Sequence, residues 1–268
     1  MKKVFAFLVA AALCASVSAA ENVLKITEPA DFTGSGAGRL KAVPGGIGFT
    51  VGTGFMEVVS KKRIPVDLAK KYLVTFEYRL APGSEPGCGF YFAPINWTEN
   101  DKVITCDSQY ITPGSETVLA APVKKGDKIV RIKDGSKWIA KYGAIAFNAK
   151  KDLSDLPNLD VIRLTGLTKK ANNIWEASLR TPVTRAYALG TAVRNHRDGG
   201  TYRYVGGYCK PQLQWKKAER IITGALRERL PNYEKSWRPG AATAGIIIFT
   251  GSGKGDVELR KISISEVK

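Results

Sequence analysis

Two groups of side chains in the 268-residue sequence have the types and spacing to grip a polyhydroxylated ligand. Tyr91, Asn96, Trp97 and Glu99 form the first, and Tyr202, Arg203, Tyr204 and Tyr208, preceded by Arg194, His196 and Arg197, form the second. Aromatic rings offer apolar faces to the C–H side of a pyranose, while amide, carboxylate and guanidinium groups take its hydroxyls. Arginines next to rings add forks suited to a carboxylate or sulfate. Trp97 lies among Asn, Thr and Glu, which predicts a surface position on a hairpin. Alternation puts Tyr202 and Tyr204 on one face. Trp215 and Trp237 read as core.

Catalytic chemistry has little to work with. His196 is the sole histidine, and with Tyr202 it forms the one candidate acid–base pair. The sequence has no closely spaced cysteine pair, no Gly-rich phosphate loop, no G-x-S-x-G elbow and no H-E-x-x-H helix. Zinc fingers, nucleotide chemistry, the common serine-hydrolase fold and zinc proteolysis therefore lack their residues. The 24 acidic residues always offer some carboxylate pair, so a glycosidase dyad cannot be singled out. The reading is a non-catalytic binding protein, with a structural or protein-interaction β-sandwich of the cell envelope as the alternative and a jelly-roll polysaccharide-degrading enzyme as the less favoured third.

Lys2 and Lys3, the apolar run from Val4 to Ala15, and the small residues Ser16 to Ala20 have the layout of a secretory signal, with cleavage expected after Ala19. That predicts a secreted or periplasmic protein of the bacterial export type. The run is too short to span a bilayer, and no other stretch approaches that length. Losing Lys2 and Lys3 takes the formal charge from +17 to +15. Residues 20–168 carry 20 basic and 16 acidic groups, whereas residues 169–268 carry 19 and 8, so the excess concentrates toward the C-terminus. An exported basic chain meets acidic polysaccharides and cell-wall polymers, and no nucleic-acid module is present, so nucleic acid is not an expected partner. Cys88, Cys106 and Cys209 remain after cleavage, and export permits either one disulfide, by preference involving Cys106, or three buried thiols with no bond.

The elements that must position these residues read as strands. Leu73–Arg79 alternates, with Val74, Phe76 and Tyr78 on one face. Gly46–Val51, Phe55–Ser60, Gly89–Ala93, Val103–Cys106, Trp215–Ile222 and Thr243–Thr250 are apolar or alternating, each bounded by turn formers. Val257 and Leu259 are out of phase with Ile262 and Ile264, which predicts a bulge near Arg260 and Lys261. Pro65–Lys71 reads as a turn. From Thr117 the rhythm changes to a separate β unit, with strands at 129–132, 143–147, 174–179 and 190–194. The fold expected is an all-β sandwich over residues 20–115 and 200–268, interrupted by an inserted small β domain at 116–199.

The segments Lys61 to Leu80 ("KKRIPVDLAKKYLVTFEYRL"), "QWKKAERIITG" and Gly253 to Glu266 ("GKGDVELRKISISE") resemble a carbohydrate-binding module of the CenC type. That resemblance implies a galactose-binding-like jelly roll and a carbohydrate partner; no cofactor is expected, although the family often carries a structural calcium, to which Glu28, Asp31 and Asp256 could supply oxygens. The inserted segment is similar to small β units of phage-tail and surface proteins.

Overall fold

The computed structural model describes residues 23–198 and 202–267. The chain is all-β, in three antiparallel six-stranded sheets. Strands Lys71–Leu80, Gly255–Val267, Gly46–Val51, Lys41–Val43, Lys216–Thr223 and Val23–Ile26 make the first sheet. Phe90–Trp97, Thr243–Thr250, Glu57–Ser60, Phe32–Thr33, Ile64–Pro65 and Tyr208–Cys209 make the second. The two face each other as a jelly-roll-type sandwich.

Alternation explains the core. Tyr72, Val74, Phe76, Tyr78 and Leu80 point inward from one sheet, while Phe90, Phe92, Ala244, Ile246 and Ile248 point inward from the other. Phe76 stacks on Phe92 at 4.0 Å between ring centres, and Phe49 and Tyr78 meet Phe90 edge-on at 5.6 and 5.4 Å. The bulge is present: the register between the Lys71–Leu80 and Gly255–Val267 strands shifts between Arg260 and Ser263, and Lys261 takes φ 51°. The extra residue lets Val257, Leu259, Ile262 and Ile264 all face the core. Asp67 to Lys70 is a turn, closed by the Lys70 N–H on the Asp67 carbonyl.

The third sheet is built wholly from strands between Thr117 and Arg197. It runs in the order Ile129–Ile132, Trp175–Leu179, Val161–Lys169, Gly143–Phe147, Ala192–Arg197, Thr117–Val118. The last of these returns to the first: Leu119 bridges Ile132, Ala120 donates to the Arg131 carbonyl at 2.8 Å, and Lys133 donates to the Val118 carbonyl at 3.0 Å. The sheet is therefore closed into a small barrel without a free edge. Its own core holds Leu119, Val130, Ile132, Ile145, Phe147, Leu164, Ala177, Leu179 and Val193.

Three sequence expectations need correction. Val103–Cys106 is not a strand; only Val103 bridges Trp97, and Ile104 donates to the Asn96 carbonyl. Val161–Lys169 is a nine-residue strand that alternation misses, because a bulge between Leu164 and Gly166 breaks its period and Arg163, Thr165, Thr168 and Lys169 face solvent. Cys88, Cys106 and Cys209 are all buried and no disulfide joins them among the described residues, so the second of the two cysteine readings holds and the preferred bridge of Cys106 does not form. The expected signal segment lies outside the described residues.

Candidate functional site

The outward face of the second sheet carries a contiguous group of rings. Odd positions of Phe90–Trp97 place Tyr91, Ala93, Ile95 and Trp97 outward, and odd positions of Thr243–Thr250 place Ile247 and Phe249 beside them. Residues 202–208 then cross this face. Tyr202 and Tyr204 both lie on Phe249, at 5.6 and 5.9 Å between ring centres, as alternation predicted. Arg203, between them, turns the other way into the protein.

Tyr91 is the hub. It stacks on Phe249 at 4.9 Å with an interplanar angle of 24°, and meets Tyr204 and Tyr208 at 4.8 and 4.9 Å. Tyr208 is seated by two glycines. A methyl on Gly89 would lie 2.3 Å from Tyr208 Cζ, and one on Gly251 would lie 2.4 Å from its Cε2. The Tyr208 hydroxyl is pinned by the Ser252 side chain at 2.8 Å and accepts from the Ser252 N–H at 3.1 Å. Phe55, 67% exposed, completes the platform at 6.3 Å from Phe249. Its loop is held by Arg39, whose guanidinium donates to the Thr53, Gly54 and Phe55 carbonyls. Tyr91, Tyr202, Tyr204, Tyr208 and Phe249 are half-buried, so their edges and outer faces remain accessible. Burial pushes the Tyr204 phenol up to about 12, which keeps it a neutral hydrogen-bonding group over the physiological range.

The other expected ligand residues are placed differently. Trp97 is the last residue of its strand and only 4% exposed. It lies on Gly245, and the Arg63 guanidinium covers it at 3.7 Å from a ring centre, so its polar neighbours misreport its burial. Asn96 faces inward, where its Oδ1 accepts from the Arg238 N–H at 3.5 Å. Arg194 and His196 are fully buried and cannot touch a ligand. His196 Nδ1 lies 2.7 Å from the Asp107 carbonyl, which fixes the proton there, and Nε2 accepts from Arg194 Nε at 3.0 Å. Arg194 also donates to Asp155 at 2.8 Å and to the Lys150 carbonyl at 3.1 Å. Burial and the Arg194 charge lower the His196 pKa to about 4. With its ring enclosed and both nitrogens engaged, His196 is a strut of the barrel base.

Arg203 is buried with Glu228 and Arg238. Glu228 Oε1 receives Arg238 Nε at 2.9 Å and Arg203 Nη2 at 3.3 Å, and the two arginines also donate to the Leu226, Ser236 and Ile104 carbonyls. Arg203 thus ties the 202–208 segment to residues 226–238 from beneath. Arg197 stays at the surface beside Tyr110. Glu99 is exposed on the loop after Trp97.

The three acids named as calcium donors are placed separately. Asp31 is 6% exposed, accepts from the Thr27 and Glu28 N–H groups and pairs with Lys62 at 3.2 Å, so its oxygens already face hydrogen donors. Glu28 and Asp256 are exposed, and Asp256 accepts from Thr50. Among the described residues no three His, Cys, Asp or Glu side chains converge on a cation position. No described helix is long and apolar enough to cross a membrane.

Sequence reasoning named four of the six platform rings and missed Phe55 and Phe249. It also assigned Trp215 to the core, whereas Trp215 is half-buried on the outward face of the first sheet, with the Arg260 and Arg79 guanidinium carbons 4.0 and 4.6 Å from a ring centre. Trp237 is core, edge-on to Tyr72 at 5.4 Å.

The fold and platform define an all-β sandwich that presents clustered rings on one outer face and carries a closed β-barrel in one connection. No protein-family model and no curated protein matches the chain.

Proposed function

We propose that this is an exported, non-catalytic carbohydrate-binding protein whose glycan lies on the ring platform of Tyr91, Tyr202, Tyr204, Tyr208, Phe249 and Phe55, with a preference for acidic polysaccharide. One observation carries the reading: six rings contiguous on a sheet face, held from beneath by two glycines and a buried ion network, with hydroxyls at their edges. Rigid rings stack on pyranose C–H faces at small entropic cost, and pre-positioning of Tyr208 and Phe55 removes ordering that a flexible site would incur on binding. The jelly-roll-type sandwich agrees with the CenC-like segments, and the net positive charge favours a polyanion. The chain's only histidine is enclosed, which removes the one acid–base pair the sequence suggested.

Affinity electrophoresis of residues 20–268 through neutral and acidic polysaccharide gels, at low and high salt, tests this. Retardation by one polymer that persists in high salt and is lost in Tyr204→Ala and Phe249→Ala, each checked for folding by circular dichroism, is the expected result. Equal retardation by every polyanion at low salt alone, or none by any polymer, refutes it and leaves a basic scaffold of the envelope.

A further inference from the structure

Where the barrel meets the sandwich, guanidinium groups and phenol rings alternate. Arg197, the last residue of its barrel strand, has its Cζ 5.4 Å from the Tyr110 ring centre, and Arg229 lies 5.2 Å from the same ring. Arg229 is also 5.9 Å from Tyr233, whose ring is 5.9 Å from Arg203. Arg203 in turn sits between Tyr202 and Tyr204 of the platform, so this ladder and the platform share one segment.

The charges of the ladder are uncompensated at its outer end. Ten of the fifteen described arginines pair with a carboxylate. Arg197 and Arg229 have no such partner among the described residues. The nearby acids are engaged elsewhere: Glu228 with Arg203 and Arg238, Asp198 with Arg163 at 2.7 Å, and Glu234 with Arg220 at 3.8 Å. Arg197 Nη1 makes one long contact, 3.5 Å, to the Tyr110 hydroxyl, and its Nε is buried with no acceptor. Arg229 is exposed and held at φ 68°, a conformation that costs a non-glycine residue energy. Two guanidinium forks flank one phenol, that of Arg197 half-buried and that of Arg229 exposed, and with no carboxylate of the protein's own on either among the described residues they are placed to receive an external oxyanion.

We propose that Arg197, Tyr110 and Arg229 form an acid-sugar subsite that takes the carboxylate of a uronic acid residue, an assignment that rests on the glycan-binding reading above. The planar carboxylate matches the planar guanidinium forks, the Tyr110 hydroxyl supplies a further donor, and the rings hold the forks by their faces while leaving N–H edges free. Barrel and sandwich each contribute to this subsite, so the inserted unit becomes part of ligand selection.

Isothermal titration calorimetry with polygalacturonate, alginate and hyaluronate, each beside its methyl-esterified form, at 0.15 and 0.5 M NaCl, tests the assignment. The expected result is that at least one acidic polymer binds more tightly than its ester at both salt concentrations. Arg229→Gln and Arg197→Gln, with unchanged melting temperatures, should then lose on the order of tenfold in affinity for the acid and nothing for the ester. Arg229→Lys, which keeps the charge without the fork, should not restore the loss. Tyr204→Ala, by contrast, should weaken acid and ester alike. Equal binding of acid and ester, or arginine variants that weaken both equally, overturns the subsite while the glycan reading stands. Dextran sulfate competing as strongly as the uronate overturns the carboxylate assignment. Binding of no polymer overturns the glycan reading and the subsite with it.

Discussion

Because the chain has one histidine, its titration can be isolated in the stability of the fold. His196 has a folded pKa of about 4 against an unfolded value of 6.5, through burial and the neighbouring Arg194 charge, opposed by Asp155 and Asp107. A lowered folded pKa means that the unfolded chain takes up the proton first. The contribution of neutral His196 is therefore complete above pH 6.5 and is lost as pH falls from 6.5 toward 4. The full difference is about 3 kcal/mol, and the part lost between pH 7 and pH 5 is about 2 kcal/mol. The imidazole is fully buried, so solvent screening does not reduce this. The Asp155 carboxyl is itself held below its usual range, so it remains ionised through most of this window. Urea unfolding at pH 7.0, 6.0 and 5.0 should show the loss, and His196→Gln, which keeps a donor and an acceptor without a titrating proton, should flatten it. A single imidazole resonance titrating near 6.5 in the folded protein, or a pH slope identical in His196→Gln, would refute the reasoning.

Glu228→Gln leaves the Arg203 and Arg238 guanidinium groups buried around a neutral amide, and should lower unfolding free energy by about 3–5 kcal/mol in urea; a loss under about 1 kcal/mol would mean the triad is not desolvated as described. Gly89→Ala should leave far-ultraviolet dichroism unchanged yet weaken glycan retardation as much as Tyr208→Ala, because the new methyl evicts the ring from its seat. The Cys209 thiol, pushed up to about 12 by burial, and the buried Cys88 and Cys106 thiols should resist a thiol-reactive dye until denaturant is added; rapid labelling of the native protein would contradict their enclosure.

Much of the sandwich was legible because its strands have one wet and one dry side. The Lys71–Leu80 strand alternates buried and half-exposed along its length, and the phase slip between Leu259 and Ile262 announced its bulge. What escaped was set by distant partners. Phe249 sits in a strand apolar on both faces, so alternation could not say that it looks outward onto Tyr91. Trp97 looked wet from its sequence neighbours, but Arg63 and Gly245, far away in the chain, enclose it. The burial of His196 depends on the Asp107 carbonyl, 89 residues earlier. Barrel closure rests on a bridge between Leu119 and Ile132 that no local pattern specifies.

That closure bears on how the chain assembles. Phe90–Trp97 and Tyr208–Cys209 pair directly, with Tyr91 opposite Tyr208, yet 110 residues separate Trp97 from Tyr208. An unstructured excursion of that length would make the pairing a slow, distant search. A barrel with its own core shortens it, because Ile111 and His196 are ladder neighbours once the barrel has formed. The effective loop is then only the two short connectors on either side. In the folded chain the inserted unit is thus a clasp between the two stretches of sequence that carry the ring platform, and it spans their 110-residue separation with a closed, self-packed unit.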